Sequence, residues 1–392
     1  MQSPNGDATA SRLEATAPSP TSEPIYVTRP QLPPLADLIP YLEEIWENQI
    51  LTNGGPFHQQ LEEELCAHLG VPYISLFSNG TLGLISALQA LRITGEVITT
   101  PYSFVATAHS LLWHGNQPVF VDVEPHTLNI DPGKIESAIT PRTSAIMPVH
   151  CYGNPCNVEE IGKIADNYNL KTIYDSAHSF GVQDNGGSIL RHGDLSVLSF
   201  HATKVFNTFE GGAIISHDAK MKRIIDNLKN FGIVSEISVV APGINAKMNE
   251  FSAAFGLLQI QQMDYVLRRR REVDALYRDR LSNVRGIECL PRGGQKTDNH
   301  AYFPILVKNE FGVTRDVLYE RLRHAGIYSR RYFYPLLSNL SMYRGLPSAD
   351  PALLPVANAA AREILCLPIY PGLQLHEQIR IVDQIVAIGR SG

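Results

Sequence analysis

SVLSFHATKVFNTFEGGAI, residues 196–214, decides the fold. An apolar run over 196–200 reads as a strand. Lys204 follows it almost at once, and Glu210-Gly211-Gly212 leads into a second apolar run, 212–216. Upstream, KTIYDSAHSFG (171–181) is built the same way: a short apolar strand that ends in a carboxylate, Asp175. Further strand-like runs occur at 73–77, 96–99, 118–123 and 143–149, with helical stretches around 81–91, 103–114, 131–138 and 157–168. Near-continuously apolar strands alternating with helices predict a mostly parallel sheet covered on both faces. In such sheets chemistry gathers at the carboxyl ends of the strands.

Before this block, 41–69 reads as helix interrupted by the turn Thr52-Asn53-Gly54-Gly55-Pro56. After it, 218–231 and 249–283 read as helices. From about residue 290 the pattern changes to a strand at 301–307 and helices at 313–325, 353–364 and 374–388. The expected organisation is a tail over 1–24, a large α/β domain over 25–264 and a small C-terminal α/β domain over 265–392. The tail is rich in Ser, Thr, Ala and Pro with a single leucine, too little apolar surface to offset its ordering entropy. The run Arg268-Arg269-Arg270-Arg271 reads as a solvated helix face.

Composition narrows the function classes. With 44% hydrophobic and 18% charged residues, the chain has the balance of a globular protein and not of a disordered chain or coiled coil. A net charge of −6 leaves no basic surplus for binding along a duplex, so no nucleic-acid partner is expected. No apolar run approaches the roughly 18 residues of a membrane span, and the N-terminus does not read as a signal peptide, so no membrane partner is expected. Five scattered cysteines fit a reducing, cytoplasmic setting better than a disulfide framework.

Three segments carry chemistry. Ser78-Asn79-Gly80-Thr81 lies between a strand and a helix; a helix N-terminus offers free N–H groups to a phosphate, although the same residues also make a plain N-cap turn. Asp175 is either a cap or a carboxylate facing a protonated heterocyclic nitrogen, with His178 three residues on. Lys204, flanked by Ser199, becomes a nucleophile toward carbonyls when desolvated. A phosphate cradle, a carboxylate for a pyridinium and a lysine for a Schiff base are together what pyridoxal phosphate requires. Other candidates read as structural. His109 and His114 have no zinc-like spacing, so no metal is expected. Cys151 and Cys156 read as buried thiols, and Tyr332-Phe333-Tyr334-Pro335 is core or cleft.

From about Ile25 onward the chain resembles the DegT/StrS family of pyridoxal-phosphate-dependent nucleotide-sugar aminotransferases. The segments that carry the likeness run in order: TNGGPFHQQLEEEL, SNGTLGL, TPYSFVATAHSL, PVFVDV, VHCYGNPC, YDSAHSFG, SFHATKVFNTFEGGAI, GINAKMNEFSAAFGLLQ and LPIYPGL. The resemblance implies an α/β chain of aminotransferase fold type I, assembled as a homodimer with shared active sites. It implies that Lys204 carries the cofactor covalently and that Asp175 faces its ring nitrogen. His178, where many relatives have glutamine, would lie near the phenolic oxygen, and Phe104 would stack on the ring. Gly80, Thr81 and Ser199 would hold the phosphate, and Asn245 would reach the phosphate of the other subunit. Lys247, Arg330, Tyr332 and Tyr334 are the implied substrate contacts.

The implied reaction moves an amino group from glutamate, through the pyridoxamine phosphate form of the cofactor, to C4 of a nucleotide-linked 4-keto-6-deoxyhexose, with dTDP as the expected nucleotide. Amination of a 3-keto sugar is the alternative. A dehydratase on the same scaffold would have histidine in place of Lys204. The run from SFHATK to EGGAI disfavours an enzyme confined to amino acids. The alternative of another class is a non-enzymatic regulatory or binding protein on the same scaffold, which the presence of both Asp175 and Lys204 disfavours.

Overall fold

The computed structural model describes residues 23–293 and 296–390. The expected tail, 1–24, falls outside the described residues except for its last two. Seven strands form the main sheet: β1 (Tyr73–Phe77), β2 (Glu96–Thr99), β3 (Gln117–Phe120), β4 (Thr143–Met147), β5 (Lys171–Asp175), β6 (Leu195–Ser199) and β7 (Gly212–Ser216). Their order is β1-β7-β6-β5-β4-β2-β3. All neighbours run parallel except β7, which is antiparallel to both β1 and β6. Every residue of β2 and β7 is buried, as a sheet covered on both faces requires. The antiparallel strand places Gly212 opposite both Phe77 and Ser199, so β7 begins where β1 and β6 end.

The helices start and stop for local reasons. Helix α1 (Leu35–Asn48) precedes α2 (Pro56–Leu69), which has proline in its first turn and Gly70 in the left-handed region at its end. Helix α3 (Gly80–Ala90) is capped by Asn79, whose side chain accepts the Leu82 N–H. Helices α4 (Val105–Trp113), α5 (Val158–Tyr168) and α6 (Ala219–Leu228) complete the layers around the sheet.

The structure departs from the sequence-based reading in three places. The helix expected over 131–138 is two short 3-10 turns, 132–134 and 136–138, beginning at Pro132-Gly133. The helix expected over 249–283 is two, α7 (Glu250–Gln261) and α8 (Met263–Leu281), parted at Gln262. Helix α7 is buried on nearly all sides and packs on α2, whereas α8 turns away to the C-terminal layer. The arginine run is not a uniform solvated face. Arg270 is only 3% exposed, and its guanidinium donates to the carbonyls of His300, Ala301 and Ile369. A buried guanidinium tolerates such a place because three carbonyls replace part of its hydration.

The C-terminal elements are an antiparallel sheet of β8 (Ile287–Cys289), β9 (Phe303–Val307) and β10 (Ile364–Leu367) with helices α9 (Arg315–His324), α10 (Pro355–Glu363) and α11 (Leu375–Arg390). They share a core with α8, and Ile25–Tyr26 pairs with Ile327–Tyr328 beside it. Among the described residues, no helix is long and apolar enough to cross a membrane.

Candidate active site

The carboxyl ends of β1, β5 and β6 open into one cavity of about 230 Å³. Its wall includes Gly80, Thr81, Phe104, Asp175, His178, Ser199, Lys204 and Tyr332, residues drawn from segments far apart in the chain. A parallel sheet makes this convergence possible because it aims the ends of successive strands to one side.

Asp175 ends β5 and is 5% exposed. Its Oδ2 accepts the Thr107 hydroxyl at 2.7 Å, and its Oδ1 accepts the Ala177 N–H at 3.2 Å. Burial raises its pKa above the ordinary carboxylate value, while these two hydrogen bonds and the Lys204 charge oppose the rise. Lys204 follows β6, and burial brings its amine down from 10.5 to about 8 against the pull of Asp175. His178 is buried, and its Nδ1 accepts the Tyr152 N–H at 3.2 Å. Burial, with the Lys204 charge adding to it, pushes its pKa well below the usual value and keeps the ring neutral. With Nδ1 occupied as an acceptor, the neutral ring carries its proton on Nε2. The ring stacks on Phe333 at 6.0 Å and meets Tyr302 edge-on at 4.8 Å.

The cradle at the start of α3 is tight. A Cβ on Gly212 would lie 2.6 Å from the Gly80 nitrogen, and one on Gly80 would lie 3.1 Å from the Ser199 Cβ. Two facing glycines therefore bring β7, β6 and the helix N-terminus together. Asn79 satisfies the N–H groups of Leu82 and Gly83, which leaves those of Gly80 and Thr81 at the cavity edge. Donors at a helix N-terminus, an amine close to neutral, a buried carboxylate and the half-exposed Phe104 ring fit a phosphorylated, aldehyde-bearing pyridine. Lys204 would bind its aldehyde carbon, Asp175 would pair with its ring nitrogen, and the Gly80–Thr81 end of α3 with Ser199 would hold its phosphate.

Four residues singled out in the sequence lie outside this cavity's lining. Asn245 is exposed, and its Oδ1 accepts the Lys247 ammonium at 2.8 Å. Lys247 also donates to the Asn230 side chain at 2.8 Å and sits over the Phe231 ring at 5.1 Å. Arg330 is exposed, with its backbone paired to Cys366. The Tyr334 ring lies under Arg315 and Arg331, whereas Tyr332, two residues earlier, faces the cavity. The backbone carbonyl of Tyr332 accepts hydroxyls from Tyr102 and Tyr152, which ties this segment to the main sheet's side of the cleft. His109 is held by the Tyr343 hydroxyl, and His114 by Gln89 and Asn116. Among the described residues, no group of three or more His, Cys, Asp or Glu side chains could hold a metal ion.

The structure adds lining residues that sequence reasoning did not single out: Ser103, His201, Thr203, Glu210 and Tyr302. Glu210 stood in the quoted EGG run, and His201 and Thr203 stood in SFHATK, so position beside Lys204 was their signal. Tyr302 had none, because it enters from the residue just before β9.

Fold and site together define a pyridoxal-phosphate-dependent aminotransferase. Residues 36–386 match the DegT/DnrJ/EryC1/StrS aminotransferase family, and the chain belongs to it. It is 57% identical over 363 residues to a dTDP-4-amino-4,6-dideoxy-D-glucose transaminase of Escherichia coli, covering 92% of this chain and 98% of that one. It is 30% identical over 344 residues to a GDP-perosamine synthase of Vibrio cholerae, covering 85% and 91%. Among solved structures, DesI in the presence of its TDP-sugar product superposes with a TM-score of 0.90 at 36% identity, covering 95% of each chain.

Proposed function

We propose that this enzyme transfers an amino group from glutamate to C4 of a dTDP-linked 4-keto-6-deoxyhexose, giving a 4-amino-4,6-dideoxy sugar. The likeness to the Escherichia coli transaminase supports this choice of sugar. The observation that carries an acceptor other than an amino acid is the cavity wall itself. Its polar groups are hydroxyls, the Asn79 amide, two histidines, one lysine and two carboxylates. Hydroxyl, amide and imidazole groups suit a neutral hydroxylated ring.

When bound, the cofactor would supply the electron sink through which the amino group changes hands. Asp175 holds a negative charge against the ring nitrogen. The Lys204 amine would carry the proton from the donor's α-carbon to the cofactor's aldehyde-derived carbon within the first half-reaction, and from that carbon to the acceptor's carbon in the second. His178 would donate from Nε2 toward the ring's oxygen substituent. Phe104, in the cavity wall, would cover one ring face and limit water.

The same reading includes a homodimer with shared sites. The segment after α6 supports it: Ile237 is 96% exposed, and Val234, Val239 and Val240 are more than half exposed. Such an apolar surface is costly to leave in water. Phe209, next to Glu210 at the cavity, holds φ 63, a strained value for a non-glycine residue, and presents a ring 43% exposed. Lys247 and Asn245 lie at the base of the apolar segment, so a second copy seated there would bring a further cation and amide to the site.

Purified protein incubated with glutamate and a panel of nucleotide-linked keto-sugars tests the reading, with the position of the new amine read by NMR. Turnover of the dTDP-linked 4-keto sugar, with the amine at C4, is the expected result. Turnover of a 3-keto sugar alone would overturn the C4 assignment.

A further inference from the structure

The carboxylate of Asp175 is backed by two hydroxyls from the turn before α4 and its first turn. Thr107 is wholly buried, and its Oγ1 lies 2.7 Å from Asp175 Oδ2 and 2.7 Å from Ser103 Oγ. A hydroxyl has one proton, and an ionised carboxylate only accepts. The Thr107 proton therefore goes to Asp175, and the Ser103 proton must go to Thr107 Oγ1. The chain has one direction, Ser103 to Thr107 to Asp175. Ser103 is 4% exposed and lines the cavity, so the relay joins the cavity wall to the back of the carboxylate.

We propose that Ser103 and Thr107 form a polarised hydroxyl relay that keeps the Asp175 carboxylate ionised and aimed at the cofactor's ring nitrogen, with Thr107 the positioning residue. The inference rests on the reading of Asp175 as the partner of that nitrogen.

Three features argue for a role beyond packing. First, the other oxygen, Oδ1, has only a long contact with the Ala177 N–H, so Thr107 makes the strongest hydrogen bond to this carboxylate. Second, a buried carboxylate with one charged neighbour needs hydrogen bonds to remain ionised, and bonds to a charged acceptor are the strong class. Third, a valine would fill the volume of Thr107 as well as threonine does, so burial alone gives no reason for a hydroxyl there. The titratable groups around Asp175 are Lys204 after β6, His150 and Cys151 after β4, and His178 after β5. Burial keeps both histidines neutral and the thiol protonated, which leaves Lys204 as the charged neighbour. Helix α4 contributes neutral hydroxyls, which stabilise the carboxylate whatever the charge on Lys204.

The test follows Asp175 directly in the full-length, cofactor-free protein. Aspartate labelled with 13C at Cγ reports each carboxyl by NMR, and the Asp175 signal is the one lost in Asp175→Asn. In Thr107→Val the titration midpoint should move to higher pH, with proton affinity raised at least about tenfold. Thr107→Ser, which keeps the hydroxyl, should titrate like the unaltered protein. Ser103→Ala should move the midpoint the same way by about threefold, since it removes only the outer link; it also serves if Thr107→Val does not fold. In the loaded enzyme, Thr107→Val should lower kcat more than it raises KM for glutamate. An unmoved midpoint in both Thr107→Val and Ser103→Ala would overturn the relay while leaving the role of Asp175 intact. Failure of the Asp175 reading would show differently, as near-normal turnover in Asp175→Asn.

Discussion

Covalent capture of the cofactor by Lys204 should depend on pH in a way that the cavity dictates. Desolvation brings the amine from 10.5 to about 8, and the negative charge of Asp175 limits the fall. At pH 7 about a tenth of such an amine is neutral, against about one part in three thousand for a lysine in water. The cavity thus raises the nucleophilic fraction at pH 7 by roughly 300-fold. The perturbation is pH, applied first to the unaltered protein and then to Asp175→Asn. Capture of pyridoxal phosphate by the cofactor-free enzyme is followed in a stopped-flow instrument by growth of the visible band, with the cofactor below saturation. The rate should climb with pH and level off, with its inflection near 8. Removing the Asp175 charge takes away what favours the protonated amine, so in Asp175→Asn the inflection should move to lower pH. Borohydride reduction should then fix the label on the peptide containing Lys204. An inflection close to 10.5 would mean that the amine is not desolvated, and an upward shift in Asp175→Asn would mean that the two groups do not sense one another. Either result would refute the electrostatic account of the site.

Asp175→Asn should also lower steady-state turnover by at least about a hundredfold, because it removes charge where the electron sink needs it; a loss under about threefold would make Asp175 a structural cap. Gly212→Ala places a methyl 2.6 Å from the Gly80 nitrogen, so it should weaken pyridoxal phosphate binding by at least about tenfold and lower the unfolding midpoint, as overpacking does. Gly162→Ala, in open space on α5, is the control and should keep binding unchanged while leaving stability equal or slightly higher. Mixing Asn245→Ala with Lys204→Ala should restore part of the activity that each lacks, since a hybrid dimer holds one unaltered site. Absence of rescue under proven subunit exchange would count against shared sites.

The alternation of apolar strands with helices was legible from the chain alone, and so were Asp175 and Lys204 as groups at the ends of β5 and β6. These features are local. Burial on both faces writes itself into a strand as a continuous apolar run, and a charged residue at the end of such a run is conspicuous. The Gly80–Thr81 turn was legible for the same reason, since capping chemistry lies within a few residues. Other features depended on what packs against what. Arg270 sits in a run that looks like solvent-facing charge, and only the crossing of α8 over the carbonyls of His300, Ala301 and Ile369 reveals it as buried. Tyr332 and Tyr334 are alike in sequence, yet one faces the cavity and the other lies beneath two arginines, because a loop has no fixed period to assign its faces. Thr107 and Ser103 read as ordinary residues of a helix start until the order of β2, β4 and β5 sets α4 over the end of β5. The chain's own periodicities determine which elements form and which ends can bear chemistry. The particular side chains that meet at those ends are chosen by long-range packing, where a sub-ångström fit between distant segments decides and no spacing along the chain records it.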